Sequence, residues 1–143
     1  MSGARRDDTG RVSVFLAIVV AGMLAIIGVA VDASGQLRTL MRADNLAAEA
    51  ARAAGQAVDT TAVLQGTDEL SVVHEQAVDN AARYLGEGGH DLPEHTWTVT
   101  PGSGGTVDIE VTLVYQTRIL QLFGITEREL TAEATAVLVT EPD

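Results

Sequence analysis

Cysteine is absent from this chain, which removes disulfide cross-links, thiol nucleophiles and cysteine metal sites together. Lysine is absent as well. All nine basic residues are arginine, and twenty acids bring the net charge to −11. The arginines are few and scattered, so no basic patch is available to collect phosphates, and nucleic acid is excluded as a partner. Neither a glycine-rich phosphate loop nor a nucleophile elbow occurs. Three histidines remain. His74 falls near the apolar face of a predicted helix, where a packed neutral ring is the ordinary reading. His90 and His95 flank Asp91, Leu92, Pro93 and Glu94, but their spacing matches no zinc pattern. Glu127 and Glu129 read as solvated turn residues and not as a general acid and base. The expectation is a protein that is not an enzyme and has no catalytic, metal or cofactor site.

Apolar residues, by contrast, are concentrated. Between Arg11 and Asp32 no position is charged, and residues 12–31 are apolar or small apart from Ser13. A helix over this stretch is ~30 Å long, the hydrocarbon thickness of a bilayer. Arg5, Arg6 and Arg11 precede it, and basic residues favour retention in the cytoplasm. From Asp32 onward six arginines face eighteen acids, a net −12. The predicted arrangement is therefore a cell-membrane protein with a single pass, its N-terminus cytoplasmic and its C-terminal domain extracytoplasmic. A cleaved signal peptide has a shorter apolar run, and the best cleavage site, Val31-Asp32-Ala33 before Ser34, places an acid within the recognition sequence. Retention of the anchor is expected. Ala17, Ala21, Ala25 and Gly28 form a small-residue stripe that lets helices approach closely in lipid, suiting a homo- or hetero-oligomer through the N-terminal helix. The plain alternative is the general abundance of alanine and glycine in spanning helices.

Beyond Asp32 the pattern becomes amphipathic at helical period. Leu37, Leu40, Met41, Ala47, Ala48, Ala51 and Ala54 are predicted to share a broad face, with Arg38, Arg42, Glu49 and Arg52 largely elsewhere. Alanine richness extends the helix to about Val58. After a connection over residues 59–66, Thr67 is predicted to cap a second helix, with Asp68 and Glu69 in its first turn and Leu70, Val73, Ala77, Ala81, Tyr84 and Leu85 on one side. Gly86, Gly88 and Gly89 end it. From Thr96 the period changes to two. Trp97 and Val99 begin a strand, the turn Pro101-Gly102-Ser103-Gly104-Gly105 follows, and Val107, Ile109, Val111, Leu113 and Tyr115 mark a second strand. A third is predicted over residues 130–140 through Ala132, Ala134, Ala136 and Leu138. The fold class expected is α+β: a transmembrane helix continuing into a long α-helix, a second amphipathic helix and a small three-stranded antiparallel sheet. The corresponding division is a cytoplasmic arm at 1–11, a span at 12–31, a helical extension at 32–58 and an extracytoplasmic domain at 59–143.

Between the last two strands, Arg118-Ile119-Leu120-Gln121-Leu122-Phe123-Gly124-Ile125 is too apolar for a solvated loop. Ile119, Leu120, Leu122 and Phe123 are candidates for contact with the membrane or a partner. Folding back over the sheet edge is the competing expectation.

Three stretches resemble one family. Gly10-Arg11-Val12-Ser13-Val14-Phe15, the close of the apolar run at Val29-Ala30-Val31-Asp32, and the alanine-rich segment from Ala43 to Gly55 are similar to the N-terminal region of TadE/TadG-like proteins of Tad (Flp-type) pilus assembly systems, in an actinobacterial form. The strand Val111-Thr112-Leu113-Val114-Tyr115-Gln116-Thr117-Arg118, then Leu122-Phe123-Gly124-Ile125 and Leu130-Thr131-Ala132-Glu133-Ala134-Thr135-Ala136, resembles the C-terminal strands of that group. The resemblance implies a minor pilin-like or pilus-assembly protein whose partners are the bilayer and other pilus or secretion-system subunits. Prepilin cleavage after Gly10 would free Arg11 as the new N-terminus, but Phe15 occupies the position where such precursors usually carry glutamate. An anchored extracytoplasmic binding module, for another envelope protein or a ligand, is the alternative.

Overall fold

The computed structural model describes residues 7–61, 70–90, 92 and 96–138. In chain order they form helix α1 (Asp7–Thr61), helix α2 (Leu70–Glu87), strand β1 (Trp97–Pro101), strand β2 (Thr106–Gln116), a 3-10 turn (Leu120–Phe123) and strand β3 (Glu127–Val137). The class is α+β, with a three-stranded sheet in the order β1-β2-β3. Contacts divide the chain into two compact units, Met1–Leu37 with Gln116–Arg128, and Arg38–Tyr115 with Glu129–Asp143.

The second unit holds the core. From α1 it takes Ala43, Leu46, Ala47, Ala50 and Ala54, which recur at i, i+3, i+4, i+7 and i+11 and so keep one stripe of a helix in line. Val73, Ala77, Ala81 and Leu85 recur at i+4 on α2, and Val107, Ile109, Val111, Ala132, Ala136 and Leu138 complete the cluster. Alanine at most helical contact positions keeps side chains short, so backbones pack closely. The buried stripe differs in phase from the predicted face. Leu37, Met41 and Ala48 are exposed, Leu40 and Ala51 are half-buried, and Ala43, Leu46 and Ala50 take the interior positions. Ala48 lies about 100° around the helix from Ala47 on the side away from Leu46 and Ala43, which turns it outward.

The sheet follows its alternation. Trp97 pairs with Val111 and Val99 with Ile109 on the antiparallel β1-β2 ladder. The turn between these strands uses Gly104 and Gly105 at φ 70° and 78°, conformations that favour glycine. Thr112 meets Thr131 at 2.8 Å and Thr135 donates to Asp108 at 2.8 Å, pairs whose numbers fall on one side as they rise on the other, as in an antiparallel β2-β3 hairpin. Strand β3 starts at Glu127, earlier than the predicted residue 130. The leading Glu127, Arg128 and Glu129 are exposed and carry no burial alternation, so only ladder pairing brings them into the strand. Thr67, Asp68, Glu69 and the end of the third strand expected at 140 lie outside the described residues. Helix α2 closes with Gly88 N–H on the Tyr84 carbonyl at 3.1 Å, near where the glycine run was predicted to stop it.

Leu85 and Ala47 are both fully buried. Leu85→Ala is expected to lower stability by about 2–5 kcal/mol through the cavity it leaves, and Ala47→Leu by about 1–3 kcal/mol through overpacking. Denaturant unfolding of the detergent-solubilised chain measures both.

Candidate functional site

The first unit contains the apolar segment. Residues in α1 near the N-terminus form a helix long and apolar enough to cross a bilayer, with Phe15 at 68% and Ile26 at 73% exposure. Gly10 and Arg11 lie within α1 and are exposed. Along the small-residue stripe, Ala17 and Ala21 are exposed, Ala25 is half-buried and Gly28 is buried. What covers Gly28 is Ile119 of the same chain, whose Cγ2 would stand 2.6 Å from a Cβ placed on the glycine.

Asp32, at the end of the apolar stretch, is fully buried. Its Oδ1 accepts the N–H of Arg118 at 2.8 Å, and its Oδ2 accepts those of Ile119 and Leu120 at 3.1 and 2.7 Å. Three successive amides thus converge on one carboxylate. Bonds of this kind to a charged acceptor are about twice as strong as neutral ones. They define the entry to the 3-10 turn.

The remainder of the connection is held by its own backbone. Leu122 N–H donates to the Ile119 carbonyl at 3.0 Å, Gly124 N–H to Gln121 at 3.1 Å and Ile125 N–H to Leu120 at 3.2 Å. Gly124 at φ 85° makes this left-handed closure, which favours glycine. The Gln121 amide donates to the Arg118 carbonyl at 2.8 Å. At the base of the hairpin, buried Thr117 donates its N–H to the Thr126 carbonyl at 3.0 Å, and its hydroxyl reaches the same carbonyl at 3.1 Å. Of the predicted contact residues, Ile119 and Leu120 are half-buried, while Leu122 and Phe123 are 80% and 57% exposed. Exposed Ile125 joins them.

In the second unit, His74 Nε2 lies 3.0 Å from the Thr106 carbonyl. A carbonyl only accepts, so Nε2 carries the proton, and the ring ties α2 to the start of β2. His90 packs its ring 4.8 Å from that of Tyr84, and its carbonyl accepts from Arg42 at 3.5 Å. An open depression of about 410 Å³ is lined there by Arg38, Arg42, Glu49, Tyr84 and His90, among others. Asp91, Pro93, Glu94 and His95 lie outside the described residues. No grouping of three or more His, Cys, Asp or Glu side chains able to hold a metal occurs among the described residues.

In the sequence Asp32 marks the polar end of the apolar run and an acid within the best cleavage site, and nothing local signals its convergence with residues 118–120. The contact between Gly28 and Ile119 also supplies a prediction. Gly28→Ala is expected to cost about 1–3 kcal/mol, because a branched side chain must move. Pairing it with Ile119→Ala should recover part of that loss in a double-mutant cycle read by thermal unfolding in detergent. No family model, curated protein or solved structure matches this chain.

Proposed function

We propose that the protein is a single-pass, membrane-anchored minor pilin-like or assembly component of a Tad/Flp-type pilus or secretion system, acting through helix packing and protein-protein contacts. The observation that carries this reading is an N-terminal apolar helix that its own chain covers only near Gly28, continuing as α1 into residues that pack in an α+β unit. Such a helix needs lipid or other helices around it, because water does not tolerate so continuous an apolar surface. Exposed Ala17 and Ala21 leave a place where a neighbouring helix can approach closely. The likeness of residues 10–15, 29–32 and 43–55 to TadE/TadG-like proteins supplies the choice of system. The cluster of Arg5, Arg6 and Arg11 before the span supports a cytoplasmic N-terminus with the sheet outside.

Mass measurement of the mature protein, recovered separately from sheared surface fibres and from membranes, tests this. Intact chain in membranes alone supports an assembly role, and a species beginning at Arg11 within fibres makes it a filament subunit. Recovery only as a soluble species beginning near Ser34 rejects the anchor. The depression beside Arg38, Arg42 and Tyr84 favours a second reading, an anchored binding module. Loss of surface fibres on deletion, with full rescue by a chain carrying Arg38→Ala and Arg42→Ala, decides for assembly.

A further inference from the structure

We propose that the β2-β3 connection, residues 117–126, is a second membrane contact that inserts Leu122, Phe123 and Ile125 into the leaflet from which the C-terminal end of the apolar segment emerges. The proposal rests on reading residues 12–31 as a span. Its occupant is lipid, and two observations identify it. The first is continuity with the span: Ile119 lies on Gly28, four residues inside Asp32 and so about 6 Å deeper along the helix axis. The connection therefore runs beside the last turn of the apolar stretch, where Ile27, Val29 and Val31 are also exposed.

The second observation is how the backbone is satisfied. Non-helical backbone at membrane depth is tolerated only where its polar groups are bonded inside the protein. The N–H groups of Thr117, Arg118, Ile119, Leu120, Leu122, Gly124 and Ile125 all have acceptors within this unit, three of them supplied by Asp32. A loop in water has no need of that economy, since water bonds its amides. Outward, the same loop presents apolar side chains, with Leu122 at 80% exposure. Asp32 thus lets a turn leave water beside the helix. Exposed Arg118 suits the headgroup level at the loop's entry.

Because the native chain has no cysteine, single-cysteine variants can carry an environment-sensitive fluorophore without further substitution. Leu122→Cys, Val20→Cys in the span and Thr100→Cys on the exposed sheet face are labelled in the full chain and reconstituted in phosphatidylcholine vesicles containing nitroxide-labelled lipid. The expected result is blue-shifted emission at 122, loss of its fluorescence to a nitroxide placed high on the acyl chain, and shielding from aqueous iodide. The label at 20 should respond to a deep nitroxide and that at 100 to iodide alone. Adding Asp32→Ala should move the 122 label toward iodide. A lipid-quenched label at 20 with an iodide-quenched label at 122 overturns the wedge and leaves the span standing. A 122 label shielded from iodide yet untouched by lipid nitroxide indicates a protein partner and also overturns it. Iodide quenching at 20 and 122 together removes the span and the wedge with it.

Discussion

Replacing Asp32 with alanine is expected to free the amides of Arg118, Ile119 and Leu120 to exchange with solvent about a hundredfold or more faster than in the native chain. The three bonds to its carboxylate are between 2.7 and 3.1 Å. A hydrogen bond to a charged group contributes about 1.5–3 kcal/mol, and loss of a shared acceptor leaves every donor unmet. Even if water rescues most of that, a residual of about 3 kcal/mol is a factor of about 150 in local opening. Amides bonded within the turn, such as Leu122 on Ile119 and Gly124 on Gln121, should accelerate less, because their partners stay in place. Core-strand amides at Ile109 and Val111 should keep their protection. Asp32→Asn is the sharper probe, since it retains a carbonyl acceptor but turns an NH2 group toward the remaining donors. It should fall between native and alanine. Hydrogen exchange followed by mass spectrometry reads all of this, and unchanged exchange over residues 118–120 in Asp32→Ala rejects the carboxylate as the clamp.

Two acidic substitutions in the apolar segment should release the chain from the membrane, while one should not. Residues 12–31 contain twelve valine, leucine, isoleucine or phenylalanine side chains. At about −0.3 to −0.6 kcal/mol each for insertion, they contribute about −4 to −7 kcal/mol as an upper bound. One aspartate near the helix centre opposes this with about 2.5–3.5 kcal/mol. Val20→Asp alone therefore leaves insertion favourable at the centre of these ranges. Adding Leu24→Asp, one turn away, raises the opposing term to about 5–7 kcal/mol and removes a second apolar contribution. Alkaline carbonate extraction of isolated membranes should leave the native chain and Val20→Asp in the pellet and move the double variant to the supernatant. Extraction of the native chain, or retention of the double variant, argues against a bilayer-spanning helix.

Periodicity carried the architecture. A charge-free stretch of bilayer length, a helical period over residues 70–85 and a two-residue period from Thr96 each arise from local spacing, and α1, α2, β1 and β2 follow them. The phase of α1 in the second unit was harder to read. Alanine occupies positions 43, 47, 48, 50, 51, 53, 54 and 57, so several faces of that helix look equally apolar, and only packing selects the stripe Ala43, Leu46, Ala47, Ala50 and Ala54. The start of β3 was missed for a related reason, since Glu127, Arg128 and Glu129 carry no alternation to announce a strand.

By itself the sequence determined which segments are helical or extended and that one of them is long and apolar enough to cross a bilayer, because those properties depend on neighbours a few residues apart. Only the tertiary structure decided what Asp32 does and what lies on Gly28. Their partners are more than eighty positions away, and backbone N–H groups, present at nearly every residue, leave no signature of which carboxylate they will meet.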